Sequence, residues 1–427
     1  MSATIIYTDV LVIGGGIAGV AAACAAADNG NKVVLVEKAA YLGGKATAAE
    51  VGTVCGLYAY SDELPRFIVQ GFPRSFAQQL QSLSQNEPVV NEHNLAFLPY
   101  RVNDFKLLCE QLLNQAGVQL ILQAGITGLQ TDEEMITQVQ VQTKDGVLLF
   151  FTKSVVDCSG ESIAAKLLTL PMIESDQYQA AAQVFTVSGI TETNEARLSF
   201  IILKAISKAI QDKTIPDYFD RIYLVPGSLA NGAASFKIGI PLPVTYTHDN
   251  LQELRTTAVN FISAVIAFLT ATVAACNQMQ LVHIADELGL RTGLRTTGQY
   301  ILQAGDVLQS RHFEDGIANG AWPIEIWQQN KRVSMQYFAK DSYYQVPARC
   351  LQSAHIQNLF MGGRCISATD EAIASARVMG ICLQTGYAAG ILASGYVQNI
   401  PQALSIEQLQ KQQLKTVFSQ YEQVPGI

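Results

Sequence analysis

The segment Asp9-Val-Leu-Val-Ile-Gly14-Gly-Gly16-Ile-Ala-Gly19 constrains this chain more than any other. Val10 to Ile13 is an apolar run with the length of a buried parallel strand. It leads straight into a Gly-x-Gly-x-x-Gly turn. Gly14 permits the tight turn, Gly16 lets backbone come close to a diphosphate, and Gly19 lets the next helix pack on its strand. Ala18 to Ala27 is almost all alanine and apolar, and reads as that helix. Its free N–H groups and positive dipole end suit a diphosphate, with Ile17 and Ala18 in the first turn. Gly30 stops it. Val33 to Val36 reads as a second strand. Glu37 follows about 20 residues beyond the glycines, where a carboxylate accepts from ribose hydroxyls and argues against a 2′-phosphate. Lys38 stands beside it. Strand, glycines, helix, strand and acid in this order predict a dinucleotide site.

The other end of the chain completes that site. Asn358 to Met361 reads as a strand, Gly362-Gly363-Arg364 lets backbone approach a ligand, and a helix begins near Asp370 with Ala372 and Ile373 in its first turns. A helix aimed N-terminus first at a flavin stabilises negative charge on the reduced ring. Between the two ends, Gly43-Gly44-Lys45-Ala46-Thr47 opens a run of small residues that can pass under a flat ring. Val155 to Gly160 reads as a buried strand ending in a glycine turn, with Ser159 and Gly160 beside the nucleotide. Both ends together specify FAD, where either alone specifies only a nucleotide.

The expected fold is α/β: a Rossmann-like FAD-binding domain, made of a parallel sheet and an antiparallel β-meander, with an inserted α+β substrate domain. We place its first part at 1–165, the inserted substrate or cap domain at 166–345, and its last part, with C-terminal helices, at 346–427. The meander is expected from Val118–Leu122, Thr137–Thr143 and Val147–Thr152, with Lys144-Asp145-Gly146 as its last turn. Asn103–Gln115 reads as a helix. The middle mixes strands at Ala182–Val187, Arg221–Val225 and Phe236–Ile240 with helices at 193–212 and 251–275. Residues 402–420 read as a polar amphipathic helix capping the domain.

The 427 residues carry a formal net charge of −8, with no basic footprint for nucleic acid. Eight scattered cysteines without a CxxC pair suit a reducing compartment and give no cluster or metal signature. No metal site is expected. A cytoplasmic location is expected, because the first apolar run is itself a core strand without a basic segment before it. Ala258 to Cys276 is uncharged. It reads as a helix buried in the protein or in a subunit interface, or docking a partner protein, with a membrane contact as the other reading.

These segments resemble the FAD-dependent oxidoreductases of the glutathione-reductase-like superfold, in the branch that shares features with fumarate reductase flavoproteins. Besides the segments above, the resemblance is carried by Glu287-Leu-Gly-Leu-Arg291-Thr-Gly-Leu-Arg295, Phe313-Glu-Asp-Gly-Ile-Ala-Asn-Gly-Ala-Trp-Pro323-Ile and Val346-Pro-Ala-Arg349-Cys. The most specific piece is Gly362-Gly-Arg-Cys-Ile-Ser-Ala-Thr369. The resemblance implies non-covalent FAD with its AMP half on Gly14–Glu37, backbone near Ile126 against adenine, and Gly43 to Thr47 along the pyrophosphate and isoalloxazine. Arg364 stands where relatives put an acid facing the ribitol. Asp370 stands where many have histidine, and Glu325-Ile-Trp327 where Asp-x-His is common, so the usual proton carriers are missing.

The flavin carries the redox step, and no second glycine–strand–acid unit marks an NAD(P)H domain. Candidates for substrate chemistry are four. Arg291 and Arg295 clamp a carboxylate, or pair with acids or FAD phosphates. Tyr344 is an acid or base over the ring, or plain packing. Cys55, in the small-residue segment after Gly44, is a candidate flavin-reactive thiol, although it follows the glycine pair less closely than the reactive cysteine of disulfide reductases. The expected activity is hydride transfer between a small organic substrate and flavin N5. The alternatives are a flavin-dependent monooxygenase or protein-modifying enzyme, and a flavin-holding subunit that passes electrons to a partner.

Overall fold

The computed structural model describes residues 3–175, 178–328 and 333–414. Thr4–Ile13 (β1), Ile17–Asp28 (α1) and Val33–Val36 (β2) form the expected βαβ unit, with β1 and β2 parallel from Val10 against Val33 to Ile13 against Val36. All four residues of β2 are buried. α1 is buried from Ile17 to Ala26, which explains why its sequence has no polar face. Thr53–Cys55 (β3) belongs to a small separate sheet.

Val118–Leu122, expected in the meander, contributes Gln119–Ile121 (β4) instead as a parallel neighbour of β2. The meander is built from Gly125–Asp132 (β5), Met135–Thr143 (β6) and Gly146–Asp157 (β7). Two segments read separately in the sequence, Val147–Thr152 and Val155–Gly160, share this one long strand. β7 pairs antiparallel with β6 through its first half and runs parallel to β1 from Leu148 to Asp157. A single strand therefore joins the meander to the nucleotide sheet.

The middle of the chain adds a four-stranded antiparallel sheet. Its strands are Ala182–Ser188 (β8), Ile222–Leu224 (β9), Ala234–Gly239 (β10) and Gln280–Ile284 (β11), in the order β9-β10-β8-β11. Glu195–Gln211 (α2) and His248–Thr272 (α3) cover one face. Phe185, Phe236 and Ile238 meet Leu198, Ile202, Leu254 and Ile262 there in one buried cluster. The strands alternate, so Val184, Lys237 and Tyr223 are cross-strand neighbours on the opposite face. Buried side chains from Leu302 to Val346 belong instead to the larger cluster around α1.

The chain then forms a hairpin strand, Ile324–Ile326 (β12), and returns through Leu359–Met361 (β13), parallel to β7. Asp370–Ala376 (α4) and Met379–Val397 (α5) follow, bent by 95° at their junction. α5 lies directly on α1. A Cβ on Gly386 would stand 2.1 Å from Ala18 O, and one on Gly390 would stand 2.2 Å from Ala22 O. Of the helix expected over 402–420, Gln402–Leu409 (α6) and a π turn to Leu414 are seen, and the rest lies outside the described residues.

Candidate active site

One cavity of about 390 Å³ runs from the glycine turn after β1 to the helix-free face of the four-stranded sheet. Its first end gathers Gly14, Gly16, Ile17, Ala18, Glu37, Lys38, Gly43, Gly44, Lys45, Ala46, Ser159, Gly160, Gly363 and Arg364. Local geometry explains the glycines. Gly14 has φ +96°, and a Cβ there would lie 2.7 Å from Cys158 O. A Cβ on Gly16 would meet only Gly44 Cα, at 3.9 Å. Protein packing therefore leaves room over Gly16, and the room faces the cavity. Glu37 accepts from Gly15 N at 2.5 Å and from Ala39 N at 2.7 Å, which holds its carboxylate at the turn.

The turn after β7 is braced by Asp157, fully buried, which accepts from Ser159 N and Ala164 N. Burial raises its pKa. Gly160 N donates to Cys365 Sγ at 3.0 Å, so this cysteine ties the turn to the segment after β13. A Cβ on Gly160 would lie 2.4 Å from the Arg364 guanidinium, which reaches across to donate to Leu290 O. The helix whose first turn meets the cavity is α5, through Val378, Met379 and Cys382. α4, the helix expected to point there, is buried at Ala372 and Ile373, and neither lines the cavity.

Gly19, Thr47 and Ile126 also stand outside the lining. Gly19 is a packing glycine, since a Cβ would lie 1.8 Å from Gly14 O. Thr47 donates to Leu42 O and shapes the second glycine turn. Ile126 packs against the cluster that holds Val34 and Val36.

The second end of the cavity is the chamber under the four-stranded sheet, and it carries Cys55 and Arg291. Arg291 donates to Ala180 O and stacks on the Trp327 ring, its Cζ 4.1 Å from the centroid. Burial, with Arg377 nearby, presses its pKa down. Burial also pushes the Cys55 thiol up to about 12, with Glu325 adding to the effect, so it is a neutral thiol near pH 7. Arg295 and Tyr344 do not line the cavity. Arg295 is fully buried and donates to Asp370 at 2.5 Å. Tyr344 is fully buried against Ser375 Oγ at 2.7 Å, and burial raises its pKa.

The chamber also holds residues to which the sequence reading gave no role. Lys237 lies with its Nζ 4.8 Å from the Trp327 ring centroid, and burial with Arg291 beside it lowers its pKa to about 8. Glu325 accepts from Trp322 Nε1 at 3.1 Å and from Trp327 Nε1 at 3.0 Å. Arg377 approaches that carboxylate at 3.7 Å and donates to Glu325 O. Both tryptophans of the chain thus line this cavity, and their rarity was a usable signal. Among the described residues, no group of three His, Cys, Asp or Glu is placed to hold a metal ion.

A family model described as FAD dependent oxidoreductase matches residues 9–413. The chain belongs to that family. Its cofactor is FAD, and it is an enzyme. No curated protein matches the chain. Among solved structures, it is similar to CabE, an aromatic hydroxylase from angucycline biosynthesis, at 11% identity and TM-score 0.51, over 95% of this chain and 65% of that one. It is similar to BexE, studied for oxidation during BE-7585A biosynthesis, at 11% identity and TM-score 0.50, over 94% and 65%. A geranylgeranyl bacteriochlorophyll reductase-like protein from Thermoplasma acidophilum is 16% identical, with TM-score 0.47, over 95% and 83%. This FAD-dependent oxidoreductase thus spans about two thirds of CabE and of BexE, and at these identities the likeness is one of fold.

Proposed function

We propose that this enzyme transfers a hydride between a small organic substrate and FAD. The observation that carries the reading is the continuity of one cavity from the glycine turn to the chamber beneath the four-stranded sheet. Gly14, Gly16 and the first turn of α1 suit the diphosphate. Glu37 suits the adenosine ribose, and Gly43 to Ala46, Ser159, Gly160, Gly363 and Arg364 suit the rest of the cofactor. The first turn of α5 brings free N–H groups and a positive dipole end to the ring. Bound FAD supplies the two-electron chemistry, giving or taking a hydride at N5.

The protein's own share is placement. The room over Gly16 fits backbone approach by a diphosphate, while the four-stranded sheet walls the chamber at the other end. Trp322, Trp327 and Val184 offer apolar walls for a flat or aliphatic substrate body. The test is anaerobic. The purified protein is loaded with FAD and mixed with a metabolite panel, and a true substrate bleaches the flavin and is recovered oxidised. Failure to take up FAD overturns the cofactor placement. A product that carries an oxygen atom from O₂ overturns hydride transfer in favour of hydroxylation.

A further inference from the structure

The charges along the cavity divide unevenly. At the cofactor end both lysines are already matched: Lys45 Nζ lies 2.6 Å from Glu287, and Lys38 lies 3.7 Å from Glu287 and 3.8 Å from Glu161, while Arg364 donates to Leu290 O. In the chamber, Lys237, Arg291 and Arg377 face one carboxylate, Glu325, which both indoles and Arg377 already engage. The Lys237 ammonium makes no hydrogen bond and no ion pair among the described residues. Its contacts are the Tyr223 and Trp327 rings, at 5.7 and 4.8 Å. Arg291 stacks on the same Trp327 ring and, among the described residues, donates only to a backbone carbonyl. Two cations gathered on one indole repel each other, and an anion bound by both reverses the sign of that interaction.

We propose that the chamber binds an organic carboxylate, anchored by Lys237 Nζ and the Arg291 guanidinium. This rests on the chamber being the substrate end of the flavin cavity. A planar two-oxygen anion matches a guanidinium edge together with an ammonium. Val184, Val225 and Pro226 line the same space, so the remainder of the ligand is apolar. The Lys237 ammonium faces Arg291 and Arg377, Glu325 on β12, Cys55 on β3 and Tyr223 on β9. Burial with Arg291 beside it lowers the Lys237 pKa to about 8, and burial with Arg377 beside it lowers that of Arg291 to about 9, so Lys237 is the first of these two cations to lose its charge as pH rises.

The experiment uses FAD-loaded protein and matched probes: benzoate and 3-phenylpropionate, their amides, and phenyl phosphate. Binding is read by calorimetry and by perturbation of the flavin spectrum. Each carboxylate is expected to bind about tenfold or more tightly than its amide. Binding should weaken as pH rises from about 7 to 9, through the Lys237 pKa of about 8. Lys237→Met should remove the preference and the pH dependence while FAD uptake stays as in the wild type. Lys237→Arg should keep the preference and move the loss of binding to higher pH. Arg291→Met should weaken carboxylates more than amides. Equal binding of acid and amide overturns the proposal. So does a preference that survives both Lys237→Met and Arg291→Met, or tighter binding of phenyl phosphate. Loss of FAD uptake in Lys237→Met overturns it as well, by assigning the lysine to the cofactor. A wild-type protein that takes up no FAD would fail the flavin placement alone, and calorimetry on that same protein still decides the carboxylate question.

Discussion

An ammonium held beside two guanidiniums costs the fold stability, and Lys237 is the residue where that cost is measurable. Its pKa in the folded chain is lowered to about 8, by burial first and Arg291 second. An unfolded lysine titrates near ~10.4. Between those two values the unfolded chain binds a proton that the folded chain does not, so stability rises with pH across that window. Below it the penalty is present in full. Lys237→Met should therefore raise the urea midpoint at pH 7, and the gap to wild type should shrink by about pH 10. A variant less stable than wild type at pH 7 would show that the stem of Lys237 matters more than its charge. The sequence hid this residue for a simple reason. In Phe236-Lys237-Ile238 the alternation shows that lysine faces away from the helices, but not whether it faces water or a cavity. The glycine turn was legible because backbone approach itself demands glycine at Gly14 and Gly16. The spacing of Arg291 and Arg295 left a shared clamp and pairing with acids both open, because a spacing of four makes neighbours only on a helix. Here the chain is extended at Arg295–Thr296, and Arg295 turns to Asp370.

At the scale of elements, the cofactor end depends on how closely α5 lies on α1. Neither helix has a polar face, and the contact is glycine against alanine backbone. An exposed helical Gly→Ala change would stabilise by about 1 kcal/mol through propensity alone. At Gly386 the new methyl would meet Ala18 O at 2.1 Å, so packing should reverse the sign. Gly386→Ala should destabilise by roughly 1–3 kcal/mol in chemical unfolding and weaken FAD binding, because Ala18 lines the cavity. Gly305→Ala is the control, since a Cβ there meets nothing closer than 3.9 Å, and it should be neutral or mildly stabilising. Equal effects at the two sites would refute the close-contact account. Most elements were readable from periodicity: β1, α1, β2, α2 and α3 lie close to where the pattern places them. The role of β4 was not, because a short apolar run carries no mark of its partner. The bend between α4 and α5 was equally hidden. Asp370 to Val397 reads as one helix in its apolar residues, yet the chain turns at Arg377 and Val378 and presents a second helix N-terminus to the cavity.

For the whole molecule, the open question from composition is α3. Its 25 residues reach a mean hydropathy of 1.5 over their most apolar window, long and apolar enough to cross a bilayer. The fold uses those residues otherwise. Leu254, Ala258, Phe261, Ile262, Val265 and Leu269 form one stripe at helical spacing, buried against the four-stranded sheet and α2. The outward face carries Asn260, Ser263, Ala264 and Ala267, with Val259 as the large apolar residue exposed on it. A lipid-facing helix would need apolar residues on that side as well, since lipid offers nothing to Asn260 and charged Arg255. Sequence hydropathy averages around the helix and so cannot separate a one-sided core helix from a span; burial separates them. The expected outcome is that gel filtration gives the same elution with and without mild detergent. Phe261→Asp, which places a charge in the buried stripe, should cost several kcal/mol in chemical unfolding, while Ser263→Asp on the outward face should cost little. A detergent-dependent elution, or a larger cost at Ser263 than at Phe261, would mean that the outward face is covered and the stripe is not the buried side.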